Sequence, residues 1–123
     1  MLKLWIRIDL SPDAAIGPGK IRLLELIAET GSISAAGRAM AMSYRRAWLL
    51  VDELNGLFKE PVVSTRQGGK AGGGARLTVF GRDLVRSYRE MEKRAEAALS
   101  KELSRIQAAM PNRRHRAKRS KAA

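Results

Sequence analysis

The sequence contains no cysteine and only one histidine, His115. The lack of cysteine excludes disulfide bonds, thiolate catalysis and cysteine-based zinc sites. No apolar run approaches the roughly 18 residues that a membrane-spanning helix needs, and no small-residue cleavage site follows the N-terminal apolar positions. We therefore expect a cytoplasmic protein without a membrane partner.

Catalytic combinations of side chains are also missing. His115 lies in a basic segment at the end of the chain, and no serine occurs with a histidine and a carboxylate in a recognisable motif. Glutamates one helical turn apart, such as Glu25 and Glu29, are usually solvated, and neither His nor Cys accompanies them as a metal ligand. We predict no catalytic residue, no metal site, no resident cofactor and no enzymatic activity.

Positive charge dominates what is present. The 123 residues, a length typical of one domain, include 24 Lys and Arg against 12 Asp and Glu, a formal net charge of +12. Such an excess favours a nucleic acid as partner. The same charge also fits a soluble basic protein that binds polyanions loosely, so charge alone does not separate the two.

The stretch from 31 to 58 predicts a helix, a tight turn and a second helix. Gly31 ends the preceding helix, and Ser32 and Ser43 are candidate N-caps. Two short helices in this order match the DNA-reading helix-turn-helix unit. The apolar stripes of the two helices are Ile33, Ala36 and Ala39 with Met40, and then Ala47, Val51, Leu54 and Phe58.

Arg45 and Arg46 occupy the first turn of the second helix. Cations there oppose the helix dipole, which costs about 0.3–1 kcal/mol each at exposed sites. A phosphate, or the acceptor edge of guanine, converts this conflict into an attraction. The alternative is two solvated arginines whose repulsion is screened by salt.

Before this unit, residues 2–10 alternate between apolar and polar side chains, which predicts a half-buried strand. Residues 11–19 contain two Pro and two Gly and are expected to form a connecting loop. Pro18 suits the first turn of a helix that Gly31 closes. The expected buried residues of this helix are Ile21, Leu23, Leu24, Ile27 and Ala28.

After the second helix, residues 62–65 and 76–78 favour two antiparallel strands. The ten residues between 66 and 75 include five Gly, which predicts a hairpin with a long mobile tip, the wing of a winged helix. Arg66, Lys70 and Arg76 place positive charge where it can reach phosphates or a minor groove. The alternative is a flexible hairpin kept soluble by these charges. The glycine spacing fits neither a P-loop nor a dinucleotide turn.

The remaining apolar pattern predicts one long helix over about 79–110, with a one-residue shift at Leu99. A small core cannot cover so long a stripe, so we expect a symmetric homodimer in which a partner helix covers it. The alternative is a helix folded back on its own domain. Residues 1–110 would then form one domain, followed by a disordered basic tail over 111–123.

The segments GSISAAGRAMAMSYRRAWLLVDELN and RQGGKAGGGARLTVFGRDLV resemble the N-terminal domain of the molybdate-responsive transcription regulators (ModE-like), whose winged helix is similar to that of the LysR-type group. The resemblance covers roughly residues 1–100. It implies a mainly α fold with a small β-hairpin, and a dimer joined through the first and last helices. It also implies that Ser43, Tyr44, Arg45 and Arg46 meet DNA, and that Ser32 and Ser34 contact phosphate.

Full-length members of that family carry C-terminal domains that bind molybdate or tungstate, whereas this chain ends in the basic tail. The resemblance therefore implies a stand-alone DNA-binding version, and molybdate enters only through the family. We expect a dimeric, sequence-specific regulator of transcription that binds double-stranded DNA, with repression as the expected direction. The alternatives are a small oxyanion sensor with a dimer-interface site and a non-specific architectural protein that binds nucleic acid.

Overall fold

The computed structural model of the chain describes residues 2–66 and 74–111. The strands β1 (Ile8–Ser11) and β2 (Ala14–Ile16) precede the helices α1 (Pro18–Thr30), α2 (Ile33–Ala39) and α3 (Tyr44–Leu57). The strands β3 (Val63–Arg66) and β4 (Gly74–Leu77) then precede the helices α4 (Val79–Ala98) and α5 (Ser100–Ala108). This order confirms the winged helix-turn-helix that the sequence predicts.

The hydrophobic core lies where α1, α2 and α3 meet, and the wing hairpin and α4 close it. Full burial of a Leu, Ile or Val side chain contributes about 1.5–3 kcal/mol, so this cluster is the main source of stability. Its fully buried side chains are Ile21, Leu23, Leu24 and Ile27 of α1, Val51 and Leu54 of α3, Val62 before β3, and Tyr88 of α4. Ala28 and Ala39, which the periodicity assigned to the buried stripes, are exposed, whereas Leu26 is buried.

The predicted helix starts are confirmed by side-chain caps. The Ser32 hydroxyl accepts a hydrogen bond from the Ala35 amide (3.1 Å), and the Ser43 hydroxyl accepts one from the Arg46 amide (3.1 Å). Gly31 ends α1 with a φ of 71°. These caps satisfy backbone donors that a helix leaves unpaired at its start.

The wing is tied to the helices on both sides. Its strands β3 and β4 pair antiparallel, with Val63 opposite Leu77, and the Ala75 amide donates to the carbonyl of Gly31 (2.9 Å). The Asn55 side chain of α3 accepts from the amides of Val62 (2.7 Å) and Val63 (3.0 Å) and donates to the Val63 carbonyl (3.1 Å). The tip predicted over 66–75 is shorter at both ends, because pairing in the hairpin includes Arg66 in β3 and Gly74 and Ala75 in β4. Residues 67–73 of the predicted tip lie outside the described residues.

The N-terminal prediction needs correction. Burial alternates from Leu2 to Ile8 as expected, but strand pairing starts only at Ile8. Alternating burial shows that this segment is extended and that the rest of the protein covers one of its faces. A segment can be covered in this way without pairing with a neighbouring strand. The partner of β1 is β2, which lies within the expected loop; three residues between turns are too short to carry a strand pattern. The Tyr88 hydroxyl fastens this segment by donating to the Ile6 carbonyl (2.6 Å).

The single helix predicted over 79–110 is also corrected, because Leu99 interrupts it with φ −104° and ψ 12°. The interruption coincides with the one-residue shift of the apolar pattern. The hydrogen bonds from the Leu99 amide to the Ala95 carbonyl and from the Leu103 amide to the Leu99 carbonyl are both 2.9 Å long, so the chain continues with little loss of bonding. The second piece ends at Ala108.

Ion pairs join α1 to α4. The Arg89 guanidinium donates from Nε (3.0 Å) and Nη2 (2.7 Å) to the two carboxylate oxygens of Glu25, and from Nη1 to Glu92 (2.7 Å). The hydrogen bonds from Arg89 hold the pKa of the Glu25 carboxyl below its ordinary value. Those to Glu25 and then Glu92 raise the pKa of Arg89. Among the described residues, no helix is long and apolar enough to cross a bilayer.

Candidate nucleic-acid interface

The turn between α2 and α3 holds the two helices close together. The amide of Met42 donates to the carbonyl of Gly37 (2.9 Å), and Ala41 adopts the left-handed conformation with φ 56°. A Cβ atom on Gly37 would lie 2.8 Å from the Cβ of Ala47 in α3. The absence of a side chain at Gly37 thus permits a close crossing that fixes the direction of α3 relative to α2.

The start of α3 presents its predicted DNA-contacting residues to solvent. Tyr44 is 63% exposed, and Ser43, Arg45 and Arg46 are exposed too. All twelve Asp and Glu residues of the sequence lie in the described ranges, and none is within ion-pair distance of Arg45 or Arg46. Their charges are therefore available to an external anion.

Ser32 and Ser34 lie at the start of α2, and both are half-buried. The Ser32 hydroxyl is already an acceptor for the Ala35 amide and can still donate one hydrogen bond outward. The structure thus places the predicted serines at two helix starts, α2 and α3. A helix start favours phosphate because its amides and dipole attract negative charge.

Trp48 lies at the border between the exposed start of α3 and the core. Its side chain is half-buried, and its ring meets that of Tyr44 edge-on, with the centroids 6.1 Å apart. The indole Nε1 is buried and has no hydrogen-bond partner among the described residues. Trp48 therefore supports the exposed ring of Tyr44 rather than facing a ligand directly.

The two halves of α3 differ in the sign of their charged side chains. No Asp or Glu occurs from Thr30 to Val51, so α2 and the first half of α3 carry only cationic charged side chains. Asp52 and Glu53 follow in the second half, where Glu53 pairs with Lys20 of α1 (2.8 Å). A polyanion is consequently attracted to the first half of α3 and repelled by Asp52.

At the base of the wing, Ser64 and Arg76 lie opposite each other in the β3–β4 register. Together with Arg82 they line a recess of about 360 Å³. Arg82 donates from Nη1 to the Leu77 carbonyl (3.2 Å), which aims its guanidinium at the hairpin. Ser64 and Arg82 were not among the candidate residues that the sequence indicates.

The other predicted wing residues are placed only in part. Arg66 is the last residue of β3 and is exposed, and Arg76 is exposed in β4. Lys70 lies outside the described residues. Within the described ranges, no group of three or more His, Cys, Asp or Glu side chains is arranged to hold a metal ion.

Comparisons with known proteins agree with this geometry. The chain is 38% identical over 99 residues to the molybdenum transport protein ModE of Azotobacter vinelandii, a match that covers 80% of this chain and 37% of the relative. It is 42% identical over 71 residues to the DNA-binding transcriptional dual regulator ModE of Escherichia coli, covering 58% of this chain and 27% of the relative. The chain thus spans about a third of the length of these relatives.

A solved structure gives the same fold. The full-length LysR-type regulator LysG of Corynebacterium glutamicum with bound effector Arg matches 78% of this chain and 31% of its own, at 25% identity and a TM-score of 0.53. No protein-family model matches the sequence. The matched relatives nevertheless show that the chain is homologous to the N-terminal winged-helix part of the ModE-type transcriptional regulators.

Proposed function

We propose that the protein is a dimeric, sequence-specific regulator of transcription that inserts the first half of α3 into the major groove of duplex DNA. The observation that carries the proposal is the exposure of Arg45 and Arg46 in a stretch without carboxylates. Cations at a helix start are unfavourable alone, and phosphate or guanine compensates for that cost. A regulator of this kind acts where the DNA is, which places it in the bacterial cytoplasm.

Arg45 and Arg46 are assigned different contacts with DNA because they lie on different sides of α3. Arg45 points away from the buried face of α3 and is assigned to a base edge, whereas Arg46 lies to one side and is assigned to a phosphate. Contacts to phosphates fix the register of the protein but carry no sequence information. The residues assigned to phosphate or the adjacent minor groove are Ser32, Ser34, Ser43 and Tyr44 of the helices and Arg66, Lys70 and Arg76 of the wing.

Dimerisation is supported by apolar side chains left uncovered on α4 and α5. Met91 is 38% exposed, Leu99 39% and Ile106 55%, and they form an apolar stripe that runs from α4 through Leu99 into α5, with Leu103 between the last two. A second copy packed on this stripe removes it from water. The symmetry of such a dimer presents two α3 helices about 34 Å apart, one turn of DNA.

Selection of binding sites from random duplexes tests the proposal. The wild-type protein should enrich a two-fold symmetric motif, because each protomer reads one half-site. Replacing both Arg45 and Arg46 with Ala should lower the ratio of specific to non-specific affinity at fixed salt. Loss of one base-reading contact costs about 1–3 kcal/mol, so we expect a reduction of about fivefold to 150-fold per half-site.

The matched control replaces the adjacent, exposed Lys93 and Arg94 of α4 with Ala. This pair removes the same number of positive charges from a surface that the proposal does not place at DNA, so the ratio of specific to non-specific affinity should be kept. An unchanged ratio in the α3 variant contradicts the proposed role. Selection without any enriched motif would instead favour a non-specific architectural protein.

A further inference from the structure

Leu49 is a large apolar residue in the middle of the proposed groove-facing surface. Its side chain is 52% exposed. It lies on α3 one turn after Arg45 and nearly one turn before Asp52, so the three share one face. The opposite face contains Ala47, Val51 and Leu54, which are buried in the core.

We propose that Leu49 contacts the C5-methyl group of a thymine and thereby determines base specificity at one position of each half-site. This inference rests on the proposed function, because it requires α3 in the major groove. Thymine is the base that presents an apolar group there, so an aliphatic side chain distinguishes it from cytosine, guanine and adenine. Contact with the methyl group also removes part of the exposed leucine from water.

The surroundings of Leu49 favour DNA over a protein as the covering partner. Arg45 and Arg46 precede it, and neither is within ion-pair distance of a carboxylate of the described residues. Two copies of this face would bring four arginines together with only two Asp52 carboxylates, and the net repulsion opposes self-association here. A polyanion with an apolar group between its phosphates matches both the charge and the leucine.

The spacing along the helix locates the thymine. Leu49 follows Arg45 by four residues, which is about 6 Å along the helix axis. Successive base pairs are about 3.4 Å apart. The contacted thymine should therefore lie within about two base pairs of the base read by Arg45.

Deoxyuridine substitution isolates the contact, since it removes only the C5-methyl group from the DNA. Each thymine of the selected operator is replaced in turn, symmetrically in both half-sites, and affinity is measured at fixed salt. At one thymine position per half-site, wild-type affinity should fall about fourfold for each methyl group lost. Leu49→Ala should bind the thymine operator about as weakly as the wild type binds that deoxyuridine operator, and it should not distinguish the two.

The control variant is Leu10→Ala, which truncates another exposed leucine, 40% exposed in β1; it should keep the wild-type response to deoxyuridine. If the wild type is indifferent to deoxyuridine at every position, or if Leu49→Ala keeps the full discrimination, the inference is overturned. The deoxyuridine series with the wild-type protein tests the methyl contact without any variant. This part of the test therefore does not depend on whether Leu49→Ala folds. Failure of the wild type to prefer any duplex would instead overturn the proposed function.

Discussion

At the scale of single residues, two glycines set how closely the helices approach their neighbours. Gly37 lets α2 cross α3, and Gly81 lets the first turn of α4 lie against the chain before β3. A Cβ atom on Gly81 would overlap the carbonyl oxygen of Val62 and lie 3.2 Å from its Cγ1. The Thr78 cap, which accepts from the Gly81 amide (2.9 Å), holds the turn in that place.

Gly81→Ala should therefore destabilise the protein, by about 1–3 kcal/mol if the neighbours shift to accommodate the methyl group. The matched control is Gly19→Ala in the first turn of α1, where an added Cβ meets nothing within 4 Å. That change should stabilise by about 0.4–1 kcal/mol, because it restricts the unfolded chain. Denaturant unfolding of both variants measures the difference, and equal stabilities would contradict the packing role of Gly81.

The importance of Gly81 could be predicted only in part. Residues 77–81 lie within the second of the two segments that resemble the family, and Thr is a residue type that commonly caps a helix start. The contact that excludes a side chain comes from Val62, nineteen residues earlier, and no local pattern reveals it. The predicted apolar stripe of α3 leaves Leu49 out, and its spacing from Val51 and Leu54 already places it on the other face, but periodicity assigns no role to an apolar residue outside the stripe.

At the scale of elements, polar side chains join helices and hairpin in ways that apolar periodicity does not report. Asn55 binds β3 to α3, and Arg89 binds α4 to α1 through Glu25. Periodicity identifies which residues enter the core, and caps identify where helices begin. Neither periodicity nor a cap identifies which surface side chains of two elements contact each other, because those contacts depend on the angle at which the elements pack.

The pair of Glu25 and Arg89 should make stability depend on pH. Because the folded-state pKa of Glu25 is lowered, its stabilising contribution is present above the unfolded pKa, about 4.3. It is lost as the pH falls through the lower, folded value. Glu25→Gln should cost about 1 kcal/mol at neutral pH. That difference from the wild type should shrink progressively below about pH 4.3.

Unfolding by urea between pH 7 and pH 3, at constant ionic strength, measures this dependence. Glu29→Gln is the control, since Glu29 is more exposed and lies 3.6 Å from Arg22 alone; its unfolding curve should follow that of the wild type across the range. A constant difference between Glu25→Gln and the wild type down to pH 3 would refute the assignment.

At the scale of the whole molecule, the apolar stripe of α4 and α5 is the largest departure from a self-contained fold. The sequence predicts this stripe and a second copy that covers it. The predicted stripe lies on a single long helix, whereas Leu99 divides it between two helices. The shift in periodicity at Leu99 was visible in the sequence, but whether a shift bends, interrupts or merely rotates a helix depends on what packs against it.

Ile106→Asp should weaken the proposed dimer, because it places a charge within the stripe. Ser104→Asp introduces the same charge in α5 at a position off the stripe, and it should leave association intact. Sedimentation equilibrium across a range of concentrations distinguishes the two. A wild-type protein that remains monomeric at tens of micromolar, or equal dissociation of both variants, would rule out this surface as the interface.

The charge division along α3 also affects how the protein would reach DNA. A helix that is basic in its first half and carries Asp52 in its second experiences a torque as well as an attraction near a polyanion. The torque rotates the basic end toward the duplex before the surfaces touch, so fewer collisions start from an unproductive orientation. Screening limits this guidance to about 8 Å at physiological ionic strength, so association should slow as salt is raised.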